Sequence, residues 1–252
     1  MHLIKLNRDV LLKPLQAVSG IIERRHTLPI LSNVLVIRTA GSIDFVATDI
    51  EIEITASATT DAQGEPKTIT IGARKFLDIL RALPEGSEVS LGMQEKRLQI
   101  KSGKSRFSLQ TLPAEDFPRL SGPEGTPTRF AVPQKLLKGL IGLVQYAMAQ
   151  QDIRYYLNGL LMVVEDGQLK LIATDGHRLA FALKDVGDKS LSRQEVILPR
   201  KTVLELAKLL AENDEPVTIE LSATQASFKF NDVLLVSKLV DGKFPDYTRV
   251  VP

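Results

Sequence analysis

The chain repeats itself once, and this limits its fold more than any other feature. Leu11-Leu12-Lys13-Pro14-Leu15 returns as Leu136-Leu137-Lys138-Gly139-Leu140, 125 residues on. Ala47-Thr48-Asp49 returns as Ala173-Thr174-Asp175, and Ala73-Arg74-Lys75 as Pro199-Arg200-Lys201, both at an offset of 126. Phe117-Pro118 returns as Phe244-Pro245 at 127. Four words in one order at a near-constant offset predict two copies of one domain. The boundary is expected in the turn-rich run 121–128 (SGPEGTPT), giving domains 1–122 and 123–252.

Within each copy, helical spacing alternates with period-two stretches. Helices are expected over 7–25, 73–82, 133–151 and 199–210. Asn7 is placed to cap the first helix. Pro14 and its counterpart Gly139 should weaken the first helix of each copy. Strands fill the intervals, with a short one at residues 2–6 ahead of the first helix. Ile50-Glu51-Ile52-Glu53-Ile54 alternates strictly, which predicts a strand with one solvated face. The expected class is α+β: two β-α-β-β-β units per domain, with helices on one side of mostly antiparallel sheets.

Charge is segregated by element. The whole chain carries 32 Lys and Arg against 30 Asp and Glu, a net +2 over 252 residues. The four helix windows hold twelve basic and four acidic residues, a net +8, which leaves −6 elsewhere. A basic helical surface backed by acidic sheets suits phosphates. No helix-turn-helix, zinc-finger or aromatic RNA-binding signature accompanies it, so contacts should be independent of base sequence and sensitive to salt. Cysteine is absent, which excludes disulfides, thiolate nucleophiles and thiolate-bound metals. Apolar runs fall far short of the roughly 20 residues of a membrane span. The N-terminus MHLIKLNRDV lacks the apolar stretch of a secretion signal. The expectation is a soluble cytoplasmic protein with no cofactor, metal or membrane partner.

Two local features invite chemistry. Asp175 and His177 in ATDGHRLA share a strand face, like a base with its orienting partner. Copy one keeps Asp49 without a histidine, however, which favours a structural role. The run Gln150-Gln151-Asp152-Ile153-Arg154-Tyr155-Tyr156-Leu157 offers amides, an arginine and aromatics just beyond a helix. Such a loop can touch nucleic acid, or its tyrosines can anchor a strand.

These words together resemble the bacterial DNA polymerase III beta subunit, the replicative sliding clamp family. The stretches are TLPIL (27–31), ARKF (73–76), LPEG (83–86), SRFSLQTLPAEDFP (105–118), QDIRYYLNG (151–159), ATDGHRLA (173–180) and SKLVDGKFPDY (237–247). The resemblance implies a ring of six similar domains around double-stranded DNA, with helices lining the hole, and no chemistry performed. It implies DNA contacts at Arg25, Gln151, Tyr155 and Tyr156, with Arg74, Lys75, Arg200 and Lys201 as further candidates. It also implies a cleft for linear peptides of DNA polymerase and clamp-loader subunits. The matching cleft positions are Arg154, Leu157, Thr174, Gly176, His177, Arg178, Leu179, Pro245, Arg249 and Val250.

Family members usually carry three copies of the domain and close as a homodimer. A face near Lys75, Lys104, Arg106, Phe107 and Leu109 there meets the third domain of the partner. This chain ends at Pro252, after copy two, and reads as the first two of three domains, expected alone as a monomer or weak oligomer. Three two-domain chains closing a ring are the alternative assembly. The rival functions are an enzyme using Asp175 and His177, or a peptide-binding module that does not encircle DNA.

Overall fold

The computed structural model describes residues 2–23, 28–61, 65–187 and 191–251. The chain divides into two compact units, Met1–Leu120 and Ser121–Pro252. The first runs β1 (His2–Asn7), α1 (Arg8–Val18), β2 (Asn33–Arg38), β3 (Ser42–Thr48) and β4 (Ile52–Thr59). It continues with β5 (Lys67–Gly72), α2 (Ala73–Ala82), β6 (Glu88–Gln94), β7 (Arg97–Ser102) and β8 (Ser105–Gln110). The second repeats the order as β9 (Thr128–Pro133), α3 (Gln134–Val144), β10 (Gly159–Glu165), β11 (Gln168–Thr174) and β12 (Leu179–Asp185). It ends with β13 (Gln194–Pro199), α4 (Arg200–Leu209), β14 (Pro216–Leu221), β15 (Gln225–Phe230) and β16 (Val233–Lys238). Each unit is therefore two β-α-β-β-β passes, as the sequence predicts.

Pairing interlocks the passes. In the first unit the orders are β1-β6-β7-β8 and β5-β2-β3-β4, with antiparallel neighbours. In the second they are β9-β14-β15-β16 and β13-β10-β11-β12. Each pass gives its first strand to the sheet of the other, so neither completes its hydrogen bonding alone.

Amphipathic spacing places the helices. On α2, Ala73, Phe76, Leu77 and Leu80 are buried, while Arg74, Lys75, Asp78 and Arg81 face solvent. α2 packs beside α1, and α1 lies against β3 and β4; α3 packs beside α4 and against β11 and β12. Asn7 caps α1, its side chain accepting from the Asp9 amide at 2.8 Å. The helix runs on through the buried Pro14.

Three expectations change. The long helix windows shorten: α1 ends at Val18 and α3 at Val144, each passing into a single 3-10 turn. Arg24 and Arg25 then fall beyond α1 and outside the described residues, so the expected DNA contact at Arg25 lies outside them too. The four helices as built hold ten basic and three acidic residues, a net +7, with 22 basic and 27 acidic residues, a net −5, elsewhere. The alternating stretch also differs. β4 begins only at Ile52, Ile50 sits in a left-handed turn at φ 72°, and Glu53 is buried. The period was right, but residues 119–120 cover the supposedly solvated position.

Candidate functional site

The repeated Ala-Thr-Asp words form the same turn in both units. In the second unit the Thr174 hydroxyl donates to the Arg178 carbonyl at 2.7 Å and accepts from the Gly176 amide at 3.0 Å. Asp175 Oδ1 accepts the amides of His177 and Arg178 at 2.9 and 3.0 Å. In the first unit Thr48 bonds the Ile52 carbonyl and the Ile50 amide, and Asp49 Oδ1 accepts from Glu51 and Ile52. Threonine and aspartate are the residues that can close a chain reversal through their own side chains. Asp175 is thus a turn former. The amides of His177 and Arg178 hold its carboxyl below the usual carboxylate range, with Arg178 adding its charge. Among the described residues no hydrogen bond joins that carboxylate to the His177 ring, so the geometry supplies no base-and-orienter pair.

A clip ties this turn to the loop before β10. Asp152 receives the Arg154 amide at 2.8 Å, and the guanidinium closes on the same carboxylate at 3.1 and 2.8 Å. Arg154 Nη2 also donates to the Asp175 carbonyl at 3.3 Å. Its side-chain hydrogen bonds, then its amide, pull Asp152 down to about 2. Gly176, at φ 88°, makes room: a Cβ there would lie 3.0 Å from both terminal nitrogens of Arg154. The loop is further fixed by Asn158, whose side chain bonds the Asp152 amide and carbonyl at 2.9 and 2.8 Å. Arg178 reaches from the turn to Asp175 and lies 5.5 Å from the centre of the Tyr146 ring.

The same unit holds an apolar cluster of Leu161, Val163, Ile172, Ile197 and Phe244, with Tyr156, Leu179, Val240 and Tyr247 packed on it. The Phe181 ring stands 6.0 Å from that of Tyr247. Of the expected cleft residues, Leu179 borders this cluster and Pro245 and Val250 are exposed nearby in sequence. Arg249 pairs with Asp246 at 2.9 Å. His177 and Arg178 are exposed, whereas Leu157 and Thr174 are buried and act as framework. Tyr146, Phe181 and Tyr247 were not singled out from sequence, and Phe244 only as part of a repeated word. Only alternation along β12 hints at Phe181.

The DNA candidates divide. Tyr155 is exposed and Tyr156 half-buried, packed edge-on at 5.8 Å, so the pair serves both the loop surface and the apolar cluster. Gln151 is exposed at φ 57°. The side chains of Arg74, Lys75 and Arg81 on α2 are exposed and make no hydrogen bond or ion pair among the described residues, so their charge stays available. Arg200 and Lys201 open α4, half-buried, with Arg200 donating to the Met148 carbonyl at 3.3 Å. A cavity of about 570 Å³ brings together residues assigned separately from sequence: Gln151 and Arg200 from one set, His177 and Arg178 from the other. A second cavity, about 740 Å³, shares Leu161, Ile197, Val240 and Phe244 with the cluster, and none of the expected cleft residues lines it. On the first unit, β8 is the last strand of its sheet; it carries exposed Arg106 and half-buried Phe107 and Leu109, with Lys104 exposed in the turn before it. No group of three or more metal-binding side chains occurs among the described residues. Nor is any described helix long and apolar enough to cross a membrane.

Comparison with known proteins fits this geometry. The profile of the DNA polymerase III beta subunit N-terminal domain matches residues 1–121, and that of its central domain matches residues 131–246. The Beta sliding clamp of Pseudomonas aeruginosa is 46% identical over 252 residues, covering all of this chain and 68% of the relative. That of Escherichia coli K12 is 45% identical over 247 residues, covering 98% of this chain and 67% of the relative. The crystal structure of the DNA polymerase III subunit beta from Pseudomonas aeruginosa superposes with a TM-score of 0.96 at 46% identity, covering all of this chain and 68% of that one. The chain therefore spans about two thirds of the length of these relatives. It belongs to the DNA polymerase III beta subunit family, the beta sliding clamps.

Proposed function

We propose that this chain supplies two clamp domains, 1–122 and 123–252, to a ring that encircles double-stranded DNA and tethers a polymerase to it. It acts in the cytoplasm and catalyses nothing; the ring holds its partner by topology. The observation that carries the reading is the net +7 on four helices against −5 elsewhere, in a chain of this family. Arg74, Arg200 and Lys201, with Gln151 and Tyr155 on the loop, face phosphates. Contacts of this kind fix no base register and allow sliding. The edge around Lys75, Lys104, Arg106, Phe107 and Leu109 serves ring closure, since an unpaired β8 offers its backbone to another strand.

The apolar cluster beside Leu179 takes linear peptides of polymerase and clamp-loader subunits. His177, Arg178 and Arg249 form its charged rim, and Pro245 and Val250 its outer wall. A labelled peptide with leucine and phenylalanine anchors, titrated by fluorescence anisotropy, tests this. Leu179→Asp should weaken binding at least tenfold, about 1.4 kcal/mol. Equal affinity for wild type and variant sinks the cleft assignment.

A further inference from the structure

The two units build the same apolar cluster from matching positions. The cluster under the second unit's cleft contains Leu161, Ile172 and Phe244. Its counterpart in the first unit contains Leu35, Val46 and Phe117, which match them at offsets of 126, 126 and 127. Tyr156 packs on the one and Ile30, 126 residues earlier, on the other. Register agrees as well: Leu179 opens its strand opposite Thr174, and Glu53 stands opposite Thr48.

At that last position the units differ in kind. Leu179 packs against its cluster as an apolar side chain. Glu53 is only 6% exposed and is gripped from the chain end of its unit. Arg119 Nε donates to Oε2 and Nη2 to Oε1, both at 2.9 Å, and the Leu120 amide adds a third bond at 3.1 Å. The residue matching Arg119 in the second unit is Asp246, which turns instead to Thr248 and Arg249.

We propose that the first unit carries a second cleft for an apolar linear peptide, held shut by its own residues 119–120 through Glu53. The proposal rests on reading the second unit's cluster as a peptide cleft. A buried carboxylate is tolerated only when paired, and a two-pronged guanidinium is a strong partner of opposite charge. Where Leu179 offers a peptide apolar surface, Glu53 offers a charge already satisfied by the chain itself. An entering peptide would have to break the fork and leave a buried charge alone, so docking is confined to the second unit. That is discrimination by a repulsive element placed at one position.

The double variant Glu53→Leu, Arg119→Asp installs the second unit's residues. Isothermal titration with the leucine- and phenylalanine-anchored peptide should give a single peptide per wild-type chain and a pair per variant chain. A folded variant, judged by circular dichroism, that still takes a single peptide overturns the latch and leaves the second-unit cleft standing. No binding to either protein overturns both. Should the double variant not fold, Arg119→Met removes the fork alone. Hydrogen exchange at the Leu120 amide should then speed up several-fold, and unchanged exchange refutes the latch.

Discussion

Gly176 is the most exacting position in the clip that joins the loop before β10 to the turn before β12. Ile50, at the matching place in the first unit, adopts φ 72°, so the turn itself tolerates a side chain at some strain. What differs is the neighbour: Leu28 stands 126 residues before Arg154, so that position offers no guanidinium to be displaced. Gly176→Ala therefore meets two obstacles. A left-handed φ costs an L-residue roughly 1–2 kcal/mol. The new Cβ would also sit 3.0 Å from both terminal nitrogens of Arg154, forcing the guanidinium off the Asp175 carbonyl. With a urea slope of about 2 kcal/mol/M, the backbone term alone should lower the midpoint by roughly 0.5–1 M at constant slope. The assay is urea unfolding followed by far-ultraviolet circular dichroism, run in wild-type and Arg154→Ala backgrounds. The penalty should shrink in the second background, because the guanidinium is no longer there to be moved. Peptide affinity should fall with Gly176→Ala, since His177 and Arg178 ride on the turn. An unchanged midpoint, or equal penalties in both backgrounds, would refute the steric argument.

Other outcomes follow from the same geometry. Gly159→Ala should destabilise by about 1–3 kcal/mol in urea unfolding, because its Cβ would meet the Leu198 carbonyl oxygen at 2.5 Å in a packed sheet. Asp152 is held near 2, below its ordinary 3.8, so its contribution to stability is complete above about pH 4 and fades as pH falls towards 2. Asp152→Asn should accordingly flatten the acid limb of a stability profile between those values; an identical limb would contradict the clip. For duplex DNA, Arg74→Glu should weaken binding measured by anisotropy and lower the slope of log affinity against log salt. A slope equal to that of wild type would remove α2 from the DNA face.

The fold was largely legible because duplication states every signal twice. The passes, the turn words and the apolar faces of the helices recur at offsets of 125–127. Helix ends were less legible: Val18 and Val144 end their α-helices although apolar residues continue at helical spacing, since tightening into a 3-10 turn leaves that spacing nearly unchanged. Burial of Glu53 was invisible for a different reason. Local alternation says which residues share a face, while Arg119, 66 residues away, decides whether that face is wet. The site was legible as words through resemblance, but its internal logic was not. Nothing in ATDGHRLA announces that Asp175 closes a turn, that Gly176 clears space for Arg154, or that Arg178 lies against Tyr146. Those roles depend on loops brought together by β10 and β11.

The central claim is that one chain presents a basic helical face to DNA and an apolar cleft to peptides. Chemical-shift mapping of the isotope-labelled chain tests it in one titration series, first with a short duplex and then with the leucine- and phenylalanine-anchored peptide. The account predicts duplex-induced shifts at Arg74, Gln151, Tyr155 and Lys201, and peptide-induced shifts at Leu179, Phe244 and Tyr247. Shifts from both ligands on one common set of residues, or a duplex response confined to the sheets, would contradict it.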